Sequence, residues 1–316
     1  MIPALVLAAG LATRLRPLSL VRAKGALPVA GEPLVGRILQ WLRTNGVGDV
    51  VLNLHHMPET LTRIVGDGTS FGVRVRYSWE TPVLGSAGGP RRAAPIVGTS
   101  PFLIVNGDTL TTVDVAPLVE AHRRSGALVT MAVIPNTEPQ KYSGIIAAAD
   151  GRFTGVARRG SSERSFHYVG VQVVDADAFA TVPADTPYES VGALYPALAA
   201  AHPGAVRVFP CDAAFHDIGT PLDYFDTSMA LAKGDDRLHE GTGSQLSPKA
   251  TVRGSIVWDD VRIGDRAEVV ECILTDGVVI PAGTSWRRMI IRRANGDLLP
   301  AERAVDGLAV SHLTAG

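Results

Sequence analysis

A cluster of cations near the start of the chain and two aspartates far downstream set the chemical question. In LVLAAGLATRLRPL, an apolar run from Leu5 through Leu7 passes Ala8, Ala9 and Gly10 to reach Thr13, Arg14 and Arg16, and Lys24 follows in VRAKGALPVAGEPLVGRIL. Small residues at a strand end let a ligand approach the backbone, and the N–H groups beyond them, with Arg14 and Arg16, make a concave anion site. FLIVNGDTL brings Asn106, Gly107 and Asp108 to the end of a strongly apolar run, and FHDIGTPLDYF places Asp217 before a Gly-Thr-Pro turn. Two carboxylates at strand ends, with arginines and a lysine elsewhere, suit a magnesium-assisted attack on a nucleoside triphosphate. Hard Mg²⁺ prefers carboxylate oxygen, and the cations offset charge that develops on the phosphates. The opening stretch is not G-x-G-x-x-G and lacks G-K-S/T, so it supports neither a dinucleotide fold nor a P-loop; taken alone, it also reads as a strand-to-helix turn with solvated arginines.

Such residues need a frame. ALVLAAG, DVVLNL, VRVRYSW, FLIVNGD and ALVTMAVI read as strands, with PLVGRILQWLRTNG, PETLTRIVGDG and DVAPLVEAHRRSG as helices between them. Leu34, Ile38 and Leu42 share one helical face, and Gly46 is placed to end that helix. The alternation predicts an α/β fold with a mostly parallel, doubly wound, Rossmann-like sheet whose ligand lies at the carboxyl ends of the strands. From about Pro135 to Ala213, GIIAAADGRFTGVARRG and SFHYVGVQVVD are joined by turn-rich ADGR and RGSSERS. They predict a partly antiparallel insertion that covers the sheet edge and makes the sheet mixed.

Past ALAKGDDRLHEGTGSQ the composition shifts to Gly, Asp and β-branched residues. Val257, Ile263 and Val269 recur every six residues, as do Val261, Ala267, Ile273 and Val279, the signature of a short parallel β-helix; an ordinary β-hairpin appendage is the plainer alternative for so few repeats. The expected division is a nucleotide-handling domain over residues 1–235, a hexapeptide-repeat β-helix over 245–292 and a tail over 293–316 that carries no readable signal. Repeats this few must stack on a neighbour, which predicts a homo-oligomer.

At 316 residues and 46% hydrophobic content the chain can bury a large core, and a net charge of -1 gives no general pull towards nucleic acid or an anionic membrane. A small phosphate compound is therefore the expected partner. The two cysteines, Cys211 and Cys272, are too far apart in sequence for a metal or redox motif, and the N-terminal apolar run is too short to span a bilayer; both predict a cytoplasmic protein. Lysine is so scarce that Lys24, Lys141, Lys233 and Lys249 each stand out. His55, His56 and His216 lack the partners of a zinc site and read as structural. Trp79, Trp258 and Trp286 read as core or interface, and Arg91 with Arg92 as a solvated helix face.

In order along the chain, these stretches resemble the sugar-1-phosphate nucleotidylyltransferases over most of the first 230 residues or so. LAAGLATRLRPLSLVRAKGALPVAGEPL resembles that family's L-A-A-G-x-G-T-R-L-x-P-L-T and P-K-x-L-x-P-V-x-G-x-P signature. VLGSAGGPRRA is similar to its L-G-T-A-G segment, NGD to its metal-binding strand end, YSGII to its Y-G-V turn and HDIGTP to its second metal segment. The resemblance implies a nucleotidyltransferase fold with a C-terminal left-handed parallel β-helix, as in several branches. It implies that Leu7, Ala8, Ala9, Gly10 and Thr13, with Gly85, Ser86, Asn106 and Gly107, hold the nucleotide. Arg14 would grip the triphosphate and Lys24 the α-phosphate and sugar phosphate. Asp108 and Asp217 would bind Mg²⁺, while Gly144, Arg159, Gly170 and Glu189 would meet the sugar phosphate.

Three departures stand out. Ala12 replaces the second glycine of G-x-G-T-R, and Ala23 replaces the proline before the family lysine. VARRGSS stands where the family has E-K-P, so Arg158 and Arg159 take the Glu and Lys positions; Glu163 or Glu189 is then the candidate sugar-side carboxylate. ETPVLGSAGG is similar to mannose-1-phosphate guanylyltransferases, which implies GTP and a mannose-type sugar phosphate, although the N-terminal half also looks like enzymes using UTP or dTTP. The departures leave a second reading, a catalytically weak regulatory subunit that binds sugar nucleotides.

Overall fold

The computed structural model describes residues 2–232, 237–238 and 241–314. The linker expected around residues 235–245 falls partly, and Lys233 wholly, outside the described residues. The chain forms two compact units, one of residues 1–10 with 35–216 and one of residues 11–34 with 217–316.

The first unit is built on a nine-stranded mixed sheet. Its strands are β1 (Ala4–Leu7), β2 (Asp49–Leu54), β3 (Arg74–Trp79), β4 (Phe102–Asn106), β5 (Val129–Pro135), β6 (Gly144–Ala147), β7 (Phe153–Ala157), β8 (Phe166–Val174) and β9 (Val206–Pro210). β1 lies between β2 and β4, parallel to both, with Leu5 opposite Val51 and Ile104. Ala4, Leu5 and Val6 are all fully buried. Since alternate residues face opposite sides of a sheet, both faces of β1 are covered, as a parallel strand requires. Helix α3 (Gly85–Val97) packs on β1 and β2, α4 (Val115–Ser125) packs on β5 and β8, and α5 (Tyr195–Ala201) lies between β8 and β9 in the chain. Helices α1 (Leu34–Thr44) and α2 (Pro58–Val65) follow β1 and β2 in the chain, as the apolar periodicity predicts.

The antiparallel segment does not cover an edge. β8 pairs antiparallel with β4 on one side and β5 on the other, inside the sheet. Its run from Val169 to Val174 is buried on both faces, which an edge position would not achieve. Only β6 and β7 splay away, joining the start of β8 at Phe166. The register of β8 against β5 shifts between Tyr168 and Gln172, around Gly170 with its φ of 77°. Such a bulge bends the strand and re-aims the side chains beside it.

In the second unit, three parallel ladders join short strands. Gln245 pairs with Arg262 and Arg262 with Val279; Thr251 pairs with Glu268 and Glu268 with Ser285; Ile256 pairs with Ile273 and Ile273 with Ile290. Each of these steps is 17 residues, against 18 for Arg237 with Ser255 at the start of the third ladder, which corrects the six-residue period. The buried positions Val257, Ile263, Val269, Leu274, Ile280, Trp286 and Ile291 follow a spacing of six, six and five. Consequently Val278 is buried and Val279, one place late, is 54% exposed. The tail beyond Arg293, unreadable in the sequence, supplies strands Arg303–Val305 and Leu308–His312, the latter antiparallel to Met289–Arg293. Helix α6 (Pro221–Leu231) belongs to the same unit, and its Tyr224 accepts a hydrogen bond from Nε1 of the buried Trp258 at 3.0 Å. Trp286 is also buried, whereas Trp79 is 54% exposed and is not a core residue.

Candidate active site

The first unit places its strand-end residues around the carboxyl ends of β1, β2 and β4. Beyond Leu7, the backbone N–H groups of Ala8 and Ala9 donate to Oδ1 of Asn53 at 2.6 and 3.2 Å. Asn53 Nδ2 in turn donates to Oε1 of Glu80 at 2.7 Å, and Glu80 Oε2 accepts from the N–H of Leu84 at 2.8 Å. Both side chains are almost fully buried, so this chain of hydrogen bonds fixes the turn after β1 relative to the start of α3. Sequence reading gave neither residue a role, although an asparagine in DVVLNL and a glutamate opening ETPVLGSAGG are the polar interruptions that could have drawn attention. The last two glycines of GSAGG each allow a close approach. A Cβ at Gly89 would lie 2.6 Å from Glu80 Oε1, and one at Gly88 would lie 2.6 Å from the carbonyl of Thr186.

At the first turn of α3, Gly85 has a φ of 75° and Ser86 Oγ donates to Oε2 of Glu189 at 2.9 Å. Ser86 Oγ also accepts from the N–H of Ser190. Glu189 is exposed beside the two residues expected to line the nucleobase pocket. Glu163 and the exposed Arg158 and Arg159 lie on the turn after β7 and form no ion pair among the described residues.

Asn106, Gly107 and Asp108 close β4. Gly107 is required by packing, since a Cβ there would lie 2.4 Å from the carbonyl oxygen of Leu7. Gly170 comes against the same strand end, where a Cβ would meet Asn106 at 3.0 Å and Thr109 Oγ1 at 3.1 Å. Gly144 has Ser165 against it, with Oγ 2.0 Å from where a Cβ would stand. Burial of the phenol, the neighbouring Tyr195 hydroxyl and the charge of Asp108 push Tyr168 well above its ordinary range. Tyr168 therefore remains neutral, and its hydroxyl has no hydrogen-bond partner among the described residues.

His167 lies 4.3 Å from the ring of Tyr142 and 4.4 Å from that of Phe215, and neither ring nitrogen has a hydrogen-bond partner. Burial, assisted by the charge of Lys141, lowers its pKa to about 4. The native state holds it neutral, whereas the unfolded chain takes up the proton near pH 6.5. Its contribution to stability is thus complete above pH 6.5, declines as the pH falls to 4 and is constant below. With the ring's partial solvation discounted, the loss is about 2 kcal/mol, and His167→Phe should flatten that part of the pH profile in urea titrations.

The second unit carries the phosphate-loop residues. Ala12 has φ 48° and ψ 44° and precedes a single 3₁₀ turn, Thr13–Leu15, which presents Thr13 and Arg14 to solvent. Ser19 Oγ and the Leu15 N–H both donate to the Ala12 carbonyl. The left-handed conformation that explains a glycine is therefore kept with an alanine, at a cost of about 1–2 kcal/mol. Ala12→Gly removes that strain and adds about 0.4–1 kcal/mol of unfolded-state entropy. The expected net stabilisation is about 0.5 kcal/mol, read as a melting temperature about 1–2 °C higher; a lower one would show that the alanine is not strained.

Asp217 and Arg14 come together across Gly219, where a Cβ would lie 3.0 Å from Asp217 Oδ2 and 3.4 Å from Arg14 Nη1. The Thr-Pro that follows starts α6 through a reciprocal cap, with Thr220 Oγ1 accepting from the Asp223 N–H at 3.1 Å and Asp223 Oδ2 accepting from the Thr220 N–H at 3.0 Å. A cap of this kind is worth about 1 kcal/mol and fixes the loop that holds Asp217. Lys24 is half-buried and opens the 3₁₀ turn Lys24–Ala26. Among the described residues no three His, Cys, Asp or Glu side chains form a ready-made metal cage. Asp217 offers the carboxylate oxygen that a hard cation such as Mg²⁺ takes, an ion held by one or two carboxylates with water and other oxygens completing its shell. No helix among the described residues is long and apolar enough to cross a membrane.

The nucleotidyl transferase family model matches residues 3–234. A mannose-1-phosphate guanylyltransferase of Mycobacterium tuberculosis is 27% identical over 296 residues, covering 89% of this chain and 82% of that one. An N-acetylmuramate alpha-1-phosphate uridylyltransferase of Neisseria meningitidis is 42% identical over 112 residues, covering 35% of this chain and 48% of that protein. Among solved structures, HddC from Yersinia pseudotuberculosis complexed with GMP-PN shares 22% identity with a TM-score of 0.64, over 73% of this chain and all of that one. A putative glucose-1-phosphate thymidylyltransferase from Bacillus anthracis has a TM-score of 0.65 at 18% identity, over 75% of this chain and 97% of that one, a likeness of fold. With the family match running from β1 to the end of α6, the chain belongs to the nucleotidyl transferase family, among the sugar-1-phosphate nucleotidylyltransferases.

Proposed function

We propose that the protein transfers a nucleotidyl group from GTP to a mannose-type sugar-1-phosphate. The similarity to the mycobacterial guanylyltransferase, which extends over 89% of this chain, carries the choice of substrates. In the reaction, an oxygen of the sugar phosphate attacks the α-phosphorus in line, the bond from that phosphorus to the β-phosphate's bridging oxygen breaks, and pyrophosphate leaves with the electron pair. Positioning and charge neutralisation supply most of the rate, with no covalent enzyme intermediate.

The turn at Leu7–Gly10 and residues Gly85, Ser86, Asn106 and Gly107 hold the base and ribose, supported from behind by Asn53 and Glu80. Thr13 and Arg14 bind the triphosphate, and Lys24 orients the α-phosphate and the incoming sugar phosphate. Asp108 and Asp217 are the proposed ligands of Mg²⁺, which when bound supplies Lewis-acid stabilisation of charge on the phosphates. Arg159 is assigned to the sugar phosphate, Glu189 to a sugar hydroxyl, and Gly144 and Gly170 to the sugar-side wall. The three ladders with a 17-residue step support a left-handed parallel β-helix, and with it the homo-oligomer that light scattering would detect. Both cysteines are free thiols, which supports a cytoplasmic location.

A second reading, uridylyl transfer, is favoured by the 42% identity to the Neisseria enzyme. Pyrophosphate release across common nucleoside triphosphates and a panel of sugar-1-phosphates separates the two. GTP is also expected to protect the protein from thermal unfolding more than UTP or dTTP at equal concentration. Equal protection by all three would remove the case for a purine, and binding of a sugar nucleotide without turnover would point to the regulatory subunit.

A further inference from the structure

Arg22 stands two residues before Lys24, and its side chain is 15% exposed. Nε donates to Oδ2 of Asp276 at 2.7 Å, and Nη2 donates to Oδ1 of Asp276 and to Oδ2 of Asp259, both at 2.5 Å. The guanidinium also lies 5.1 Å from the centre of the Trp258 ring. Asp259 and Asp276 are 17 residues apart, so they occupy the same point on successive coils of the repeat. Trp258 donates to the hydroxyl of Tyr224, which itself donates to the carbonyl of Pro28 at 2.7 Å. The segment from Arg22 to Pro28 is thereby tethered at both ends to the repeat and α6, with Ala23, Gly25 and Ala26 buried between the tethers. Lys24, half-buried, lies within this short, doubly anchored stretch.

We infer that the repeat domain is a working part of the transfer reaction: Asp259 and Asp276 fix Arg22, and Arg22 sets the position of Lys24 as a positioning residue. The inference rests on the reading above, in which Lys24 orients the reacting phosphates. Two residues of chain span at most about 7 Å, so a displacement at Arg22 reaches Lys24 with little slack. A misplacement of about 1 Å in a positioned group can cost about a hundredfold in rate. The forked, planar guanidinium meets two carboxylates at once, a geometry that the point charge of lysine does not reproduce.

The test is steady-state kinetics on the full chain with the substrate pair that the wild type turns over, using Arg22→Met, Arg22→Lys and the double variant Asp259→Asn with Asp276→Asn. Each is melted first, and each is assayed at least 15 °C below its own midpoint. Arg22→Met and the double asparagine variant should each lose about 10- to 100-fold in kcat while KM for the triphosphate changes less than threefold, and Arg22→Lys should recover only part of the loss. Adding Arg22→Met to the double variant should cost little further, because both changes break the same tether. Should Arg22→Met fail to fold, the asparagine variants, whose carboxylates are partly exposed, carry the test. Variants that melt earlier but keep wild-type kcat would overturn the inference and leave Arg22 a purely structural residue. A wild-type chain silent with every substrate pair would instead overturn the proposed function, and this inference with it.

Discussion

Asp108→Asn is expected to lower turnover at least about a thousandfold, with a melting temperature within about 2 °C of the wild type. The amide is nearly the size of the carboxylate, so the turn closed by Gly107 against Leu7 is left undisturbed. It removes the negative charge with which Asp108 is proposed to hold Mg²⁺, and a metal acting as Lewis acid contributes several kcal/mol to charge stabilisation. A loss of about 4 kcal/mol corresponds to about a thousandfold in rate. Pyrophosphate release measured with saturating Mg²⁺, beside a thermal melt, checks both halves. Full activity in a folded variant would refute the metal assignment of Asp108.

Arg292→Ala should destabilise the repeat domain by about 3–5 kcal/mol, the usual penalty for leaving one member of a buried ion pair behind. Arg292 Nε and Nη2 each donate to the carboxylate of Glu302 at 2.7 Å, with side-chain exposures of 4% and 1%. Nη2 also donates to the carbonyl of Asp297, and Glu302 accepts from the N–H of Leu299. Burial pushes the Glu302 carboxyl up, but the guanidinium and this N–H outweigh it and hold the group below the usual range. The pair thus staples the loop before Arg303–Val305 onto Met289–Arg293. Urea denaturation followed through tryptophan fluorescence would read the loss, since Trp258 and Trp286 lie in this unit. The double change Arg292→Met with Glu302→Leu should recover most of it, because the desolvation penalty disappears along with the charges. An Arg292→Ala variant as stable as the wild type would show that the staple does not hold the hairpin.

What could be read in advance followed from periodicity. β1 to β5 and helices α1, α2 and α4 were legible because apolar residues recur at the strand or helix interval. Of α3 only the solvated face at Arg91 and Arg92 was legible, because Gly88, Gly89, Pro90 and Pro95 are poor helix residues; the two glycines are there for close approach to Glu80 and the Thr186 carbonyl. Alternation likewise identified β8 as a strand without revealing that it runs inside the sheet, since neighbour order is set by tertiary packing. The six-residue pattern held through Val257, Ile263 and Val269 and failed at Val279, where one position is dropped in each coil.

The candidate site divides in the same way. Residues at strand ends and in motif segments were legible from their types and order. Asn53 and Glu80 were not, because their meaning is a hydrogen-bond chain that exists only when β1, β2 and α3 are assembled. Arg22 carries no legible role in the sequence, because its partners lie 237 and 254 residues away.

The 17-residue step also governs how this domain tolerates changes of length. A single residue added within a coil would carry every later side chain to the wrong face of its strand, whereas a repeated block of 17 would return each position to its own ladder. Length in this part of the chain is therefore quantised: it can grow by whole coils, stacked before the terminal hairpin, without altering the spacing of Asp259 and Asp276 beneath Arg22.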